Sequence, residues 1–225
     1  MYWQKNQMLK IKDLNVSIQS VDILRNISIE LPTANMAGLV GRNGAGKTTL
    51  IKSIMGLLHP KSGTIEFDGQ DLIKTPTNLR NSLGIGYMPE DRRLIPDLTV
   101  EENILVPLWA NKSKGPQARL DYVYHLIPEL IEFAPRRGLQ LSGGQQKLVA
   151  LGRSLMIGTK LLLLDEPFEG VAPALAQRLA EVIGQLKSEG MAVIFSESDL
   201  QYSRHLVQKI FVIDRGDLVE QAVDA

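Results

Sequence analysis

The 225-residue sequence contains no cysteine, which excludes disulfides, thiolate metal sites and cysteine nucleophiles and is compatible with a reducing compartment. Nor is one sign of charge in excess. Twenty-five basic residues balance twenty-five acidic ones, so no positive field points to nucleic acid or an anionic membrane surface, and partners must be found by specific contacts. Long apolar runs are missing too: the opening MYWQKNQMLKIKD lacks the core of a signal peptide, and no later stretch approaches the length that spans a bilayer. A soluble, cytoplasmic chain is expected. There is no repeat, low-complexity tract or coiled-coil heptad. What is present is 44% apolar composition, enough at this length for one domain, residues 1–225, with a substantial core.

Met8 directly precedes the first strand-like pattern, so the seven residues before it read as a disordered extension or an upstream start. Over residues 9–31 apolar side chains fall mostly at alternate positions, most cleanly as Ile23, then Ile27, Ile29 and Leu31 with Ser28 and Glu30 between, the period of half-buried strands in an antiparallel sheet. Residues 37–40 form a short apolar strand that meets a glycine-rich turn. Residues 47–58 follow as a helix, with Leu50, Ile51, Ile54, Leu57 and Leu58 at helical spacing. A further strand pair is suggested by 63–67, closed by the Asp68-Gly69 turn. From about 89 to 157 the chain reads as helical, cut into short pieces by Pro96, Pro107, Gly115, Pro116, Pro128 and Pro135, a helical subdomain inserted in an α/β core. The core resumes with 161–164, a helix over about 174–189, and the run 191–195. Such continuous apolar runs suit parallel strands covered on both faces. A hairpin around Asp214-Arg215-Gly216-Asp217 ends the pattern.

Gly41-Arg42-Asn43-Gly44-Ala45-Gly46-Lys47-Thr48 matches the phosphate-loop pattern in full, between a strand and a helix as that motif requires. Its glycines let backbone N–H groups face phosphate oxygens, and the helix N-terminus adds a favourable field for an anion. Lys47 is placed to reach the β and γ phosphates of ATP, Thr48 to offer a hydroxyl to Mg²⁺, and Thr49 continues the loop into the helix. Asp165 and Glu166 end a buried strand, where open α/β sheets collect ligands. Asp165 suits Mg²⁺, and Glu166 suits activation of the attacking water. Leu141-Ser142-Gly143-Gly144-Gln145-Gln146 opens a helix, with Ser142 and Gln145 at capping-box spacing. Its two glycines leave the helix N-terminus uncovered. Local physics leaves open a capped helix with packing glycines or a second anion grip.

The phosphate loop, the LSGGQQ string and the LLLLDEP string, in this order and spacing, resemble the ABC ATPase family across almost the whole chain. The resemblance implies a P-loop NTPase core with a mostly parallel sheet, an N-terminal antiparallel β part and an inserted helical subdomain. It further implies that Ser142, Gly143, Gly144 and Gln145 grip the ATP of a second cassette, identical or paralogous, and that membrane contact runs through transmembrane permease subunits on the cytoplasmic face. The segments 87–103 and 169–173 look like the branched-chain amino acid importer branch.

Four positions depart from the usual family pattern. Glu90 stands where glutamine is usual, and a carboxylate there can still face the Mg²⁺ shell; its neighbours Arg92 and Arg93 are expected either at the permease interface or as a solvated charged turn. Ile18 stands where an adenine-stacking aromatic is usual, able to cover the base without stacking on it. Ser198 takes the place of the switch histidine, and none of His59, His125 or His205, read as surface or cap residues, replaces it. Ala172 replaces an aspartate. The expected function is therefore an ATP-hydrolysing transporter subunit energising solute import, against an alternative in which a degenerate cassette serves as an ATP-dependent dimerisation switch while its partner hydrolyses. Soluble ABC machines of DNA repair or translation would need a long coiled-coil insertion or two cassettes, and the sequence has neither.

Overall fold

The computed structural model describes residues 7–111 and 116–223. Residues 1–6 of the expected extension, and the break at Gly115, lie outside them; Gln7 and Met8 already belong to a strand. β1 (Gln7–Ile18) and β2 (Val21–Pro32) pair antiparallel, with Ile11 opposite Ile29. Ile27, Ile29 and Leu31 point inward as the alternation requires. Leu24, however, takes the core position expected of Ile23, which is only partly buried, because the β1–β2 register shifts between Leu14 and Val16. β4 (Ser62–Phe67) and β5 (Gln70–Asp71) complete a four-stranded sheet of order β2-β1-β4-β5.

β3 (Met36–Val40), β6 (Ile85–Met88), β7 (Leu161–Asp165), β8 (Ala192–Glu197), β9 (Lys209–Asp214) and β10 (Asp217–Gln221) form a second sheet of order β10-β9-β3-β8-β7-β6. It is parallel from β9 to β6, and β10 returns antiparallel through Arg215 and Gly216, both at positive φ, the backbone that tight hairpin turns favour. The mostly parallel sheet and the terminal hairpin are as expected. β6 was not anticipated.

Period-two geometry sends alternate strand residues to opposite faces. In β7, Leu161 and Leu163 join a core shared with β1, β2 and α1 (Lys47–Ile54), while Leu162 and Leu164 join a core built with α3 (Val100–Asn111), α4 (Pro116–Leu126), α6 (Gly143–Leu155) and α7 (Pro173–Ser188). Burial on both faces explains the unbroken apolar run. Between β6 and β7 the described chain carries four α-helices, α3, α4, α5 (Glu129–Phe133) and α6.

The helix expected over 47–58 stops at Ile54. Gly56 turns the chain at φ 74°, and the guanidinium of Arg80, at the end of α2 (Thr77–Arg80), donates to the carbonyls of Ser53 (3.1 Å) and Ile54 (2.5 Å). No helix among the described residues is long and apolar enough to cross a membrane.

Candidate nucleotide site

Parallel pairing brings the carboxyl ends of β3, β6, β7 and β8 to one edge of the sheet. The glycine-rich loop leaves β3 there, Glu90 follows β6, Asp165 ends β7, and Glu197 ends β8. Gly41 donates its N–H to Glu197 O at 3.1 Å, and a Cβ on Gly41 would stand 2.3 Å from the carbonyl oxygen of Ile213. Only glycine fits where the loop passes β9. Gly44 and Gly46 take φ of 82° and 119°, so the loop curls ahead of the α1 N-terminus.

Lys47 is buried and lies inside that curl. Its ammonium donates to the carbonyls of Gly41 (2.7 Å) and Arg42 (3.3 Å) and pairs with Glu166 Oε1 at 2.9 Å. Glu166 holds a left-handed backbone, φ 52°, with its N–H donating to Ser196 O (3.2 Å) and Ser196 Oγ (3.0 Å). Asp165 is fully buried: Oδ1 accepts from Thr48 Oγ1 (3.1 Å) and Ser196 Oγ (2.6 Å), and Oδ2 has no partner among the described residues. Burial pushes the Asp165 carboxyl above its ordinary range, against the lowering effect of the two hydroxyls.

An open cavity of about 450 Å³ brings together Asn43, Gly44, Gly46, Lys47, Thr48, Thr49, Glu90 and Glu166. Gly41, Arg42 and Ala45 belong to the same loop but do not line the cavity. Ser198 is exposed and its hydroxyl donates to Asn43 Oδ1 at 3.4 Å, so it reaches the loop from β8. Ile18 does not join the cavity. It ends β1 at the hairpin turn, and the apolar side chain lining the cavity is Ile23 of β2. Ser196 was also missed by sequence reasoning, although a serine inside an apolar strand run was a usable signal.

Ser142, Gly143, Gly144 and Gln145 lie apart from that cavity. Gln145 N–H donates to Ser142 Oγ (3.3 Å) and Ser142 N–H to Gln145 Oε1 (3.0 Å), the reciprocal cap its spacing suggested. Arg92 is half-buried: Nη1 donates to Gln146 Oε1 at 3.0 Å and weakly to Gly143 O at 3.4 Å, while its Nε has no partner among the described residues. Arg93 is exposed and forks onto Asp91 at 2.9 and 3.0 Å. Both arginines hold positive φ, and Arg153 of α6 donates to their two carbonyls.

A parallel sheet, a glycine loop wrapped on a buried lysine and an acidic pair on the next strand but one define a P-loop nucleoside triphosphatase. Residues 24–169 match the family model described as ABC transporter. The chain is 34% identical over 212 residues to the high-affinity branched-chain amino acid transport ATP-binding protein BraG of Pseudomonas aeruginosa, covering 94% of this chain and 91% of that protein. It is 30% identical to the lipopolysaccharide export system ATP-binding protein LptB of Haemophilus influenzae, over 94% and 89% of the two chains. Among solved structures, a nucleotide-free ATP-binding cassette from an ABC transporter matches with TM-score 0.87 at 25% identity, over 97% of this chain and 92% of that one. The chain belongs to the ABC transporter family as an ATP-binding cassette, an ATPase that uses ATP with Mg²⁺.

The residues present fit the ion. Oδ2 of Asp165 is a buried oxygen without a partner and Thr48 offers a hydroxyl beside it, both hard ligands of the kind Mg²⁺ takes. Among the described residues no group of three His, Cys, Asp or Glu side chains could hold a metal alone. Mg²⁺ held there would keep water and nucleotide oxygens in most of its shell, the usual habit of that ion.

Proposed function

We propose that this chain energises import of branched-chain amino acids from the cytoplasmic face of the membrane, as one of two cassettes bound to transmembrane permease subunits. The observation that carries the solute is its 34% identity to BraG, whose name states branched-chain amino acid transport. A second relative so named, the probable LivF of Archaeoglobus fulgidus at 29% identity, agrees. We read residues 1–225 as a single ABC ATPase domain with residues 89–157 as its helical subdomain.

In this reading the loop amides and Lys47 hold the β and γ phosphates. Lys47 now rests on Glu166 and two carbonyls, so an incoming phosphate competes for a cation already desolvated and aimed. Glu166 is the general base, released from Lys47 as phosphate takes the ammonium. Thr48 and Asp165, with Glu90 lining the same cavity, would hold Mg²⁺, which when bound would offset phosphate charge. Ser142, Gly143, Gly144 and Gln145 serve the nucleotide of the second cassette. Ser198, joined to Asn43, occupies the switch position; lacking an imidazole, it supports the second reading, in which hydrolysis falls mainly to the partner's site.

The test is labelled leucine uptake in cells deleted for this gene and complemented with wild type or Glu166→Gln. Deletion is expected to lower uptake at least tenfold, and wild type alone to restore it. Unchanged leucine uptake with loss of lipopolysaccharide transport would overturn the solute. Full restoration by Glu166→Gln would move hydrolysis to the partner's site.

A further inference from the structure

Lys147 lies in the second turn of α6, one turn beyond the Ser142–Gln145 cap, and is 2% exposed. Its neighbours in sequence, Leu148, Val149, Ala150 and Leu151, are buried apolar side chains. An apolar residue would fill this place without desolvating a charge, so a buried cation here is explained by what it holds. Its Nζ donates to the backbone carbonyl of Glu166 at 2.5 Å. We propose that Lys147 is a positioning residue for Glu166, locking the peptide of that carboxylate from α6 and tying the two together.

Glu166 needs such a lock because its backbone sits in the left-handed region, which a residue with a Cβ avoids unless its surroundings impose it. Ser196 fastens the N–H of Glu166 from β8, and Lys147 fastens its C=O from α6. With both peptide groups held, the carboxylate is presented to Lys47 at the cavity. The carboxylates of Glu169, Glu166 and Glu90 offset part of the burial penalty of the ammonium and Arg92 adds to it; burial leads, bringing the Lys147 pKa down to about 8. A helix is stiff along its axis, so a displacement of its Ser142–Gln145 end reaches Glu166 through one side chain.

The proposal rests on Glu166 as general base, so Glu166→Gln is the control. If Glu166→Gln keeps its turnover, the base assignment fails whatever Lys147 does. The experiment compares kcat, KM for Mg-ATP, ATP affinity by calorimetry and melting temperature for wild type, Lys147→Met, Lys147→Leu and Lys147→Gln in the full chain. Without a donor, Lys147→Met and Lys147→Leu are expected to lose at least tenfold in kcat with ATP affinity within threefold and no fall in melting temperature. Lys147→Gln, which keeps an N–H donor, is expected to recover at least a third of wild-type kcat. Met and Leu variants within twofold of wild-type kcat would overturn the proposal. So would a loss that tracks melting temperature without recovery in Lys147→Gln, and failure of both apolar variants to fold would assign Lys147 to stability alone.

Discussion

The buried ionisable side chains Lys147, Asp165 and Glu197 are governed by burial before they are governed by partners. Glu197 is 5% exposed and accepts a hydrogen bond from the Ser203 hydroxyl, which favours its charged form. Burial outweighs that bond, with Asp199 and Glu166 adding repulsion, and pushes the carboxyl up to about 8. Its pKa in the unfolded chain is about 4.3. Between those values the native state keeps a proton that the unfolded state has released, so this contribution to stability is fully present below about pH 4 and is lost as pH rises towards 8. Glu197→Gln, which imitates the protonated carboxyl and keeps the acceptor for Ser203, is therefore expected to melt with wild type at pH 5. At pH 8.5 it should melt at least about 4 °C higher, roughly 2 kcal/mol for a chain of this size. Equal destabilisation at both values by differential scanning calorimetry would contradict the assignment. The roles of Lys147 and Ser196 were not legible, because both come from contacts made across elements. Serine in an apolar run hinted at one; nothing local distinguished the other.

At the scale of elements, the strands with continuous apolar runs were readable because burial on both faces leaves no alternation to confuse. The β1–β2 pair was readable for the opposite reason. β6 was not: Gly86 interrupts its four residues, and the glycine is there because a Cβ would stand 2.3 Å from Ser154 O of α6. The end of α1 was misread because Leu57 and Leu58 continue the helical spacing, whereas Arg80 holds the carbonyls of Ser53, Ile54, Leu72 and Thr75 and fixes the exit of the chain. Such a cap lies 26 residues from Ile54 in sequence and leaves no local mark. Arg80→Ala strands several buried carbonyls and is expected to cost about 3 kcal/mol. Urea denaturation measures it; a loss under about 1 kcal/mol would mean that water replaces the guanidinium.

For the molecule as a whole, equal numbers of acidic and basic residues leave no net charge at neutral pH. Solubility of the isolated chain is expected to pass through a minimum near pH 7 and to rise by pH 8.5, as charge of one sign accumulates. Precipitation thresholds across that range test this, and a maximum near neutrality would contradict it. The site was legible at this scale because the phosphate loop, the capped glycine helix and the acidic pair stand in recognisable order. Which of them share one cavity was not legible, since that depends on strand order.

Strand order also governs when the site can exist. β3 delivers the phosphate loop, yet its two neighbours are β8 and β9: Ala37 pairs with Ile194 on one side and with Lys209 on the other. The carboxylates facing Lys47 and Thr48 arrive with β7, more than a hundred residues later in the chain. During synthesis the loop therefore emerges before the strands that flank it, and the complete site is assembled only once β7, β8 and β9 have followed.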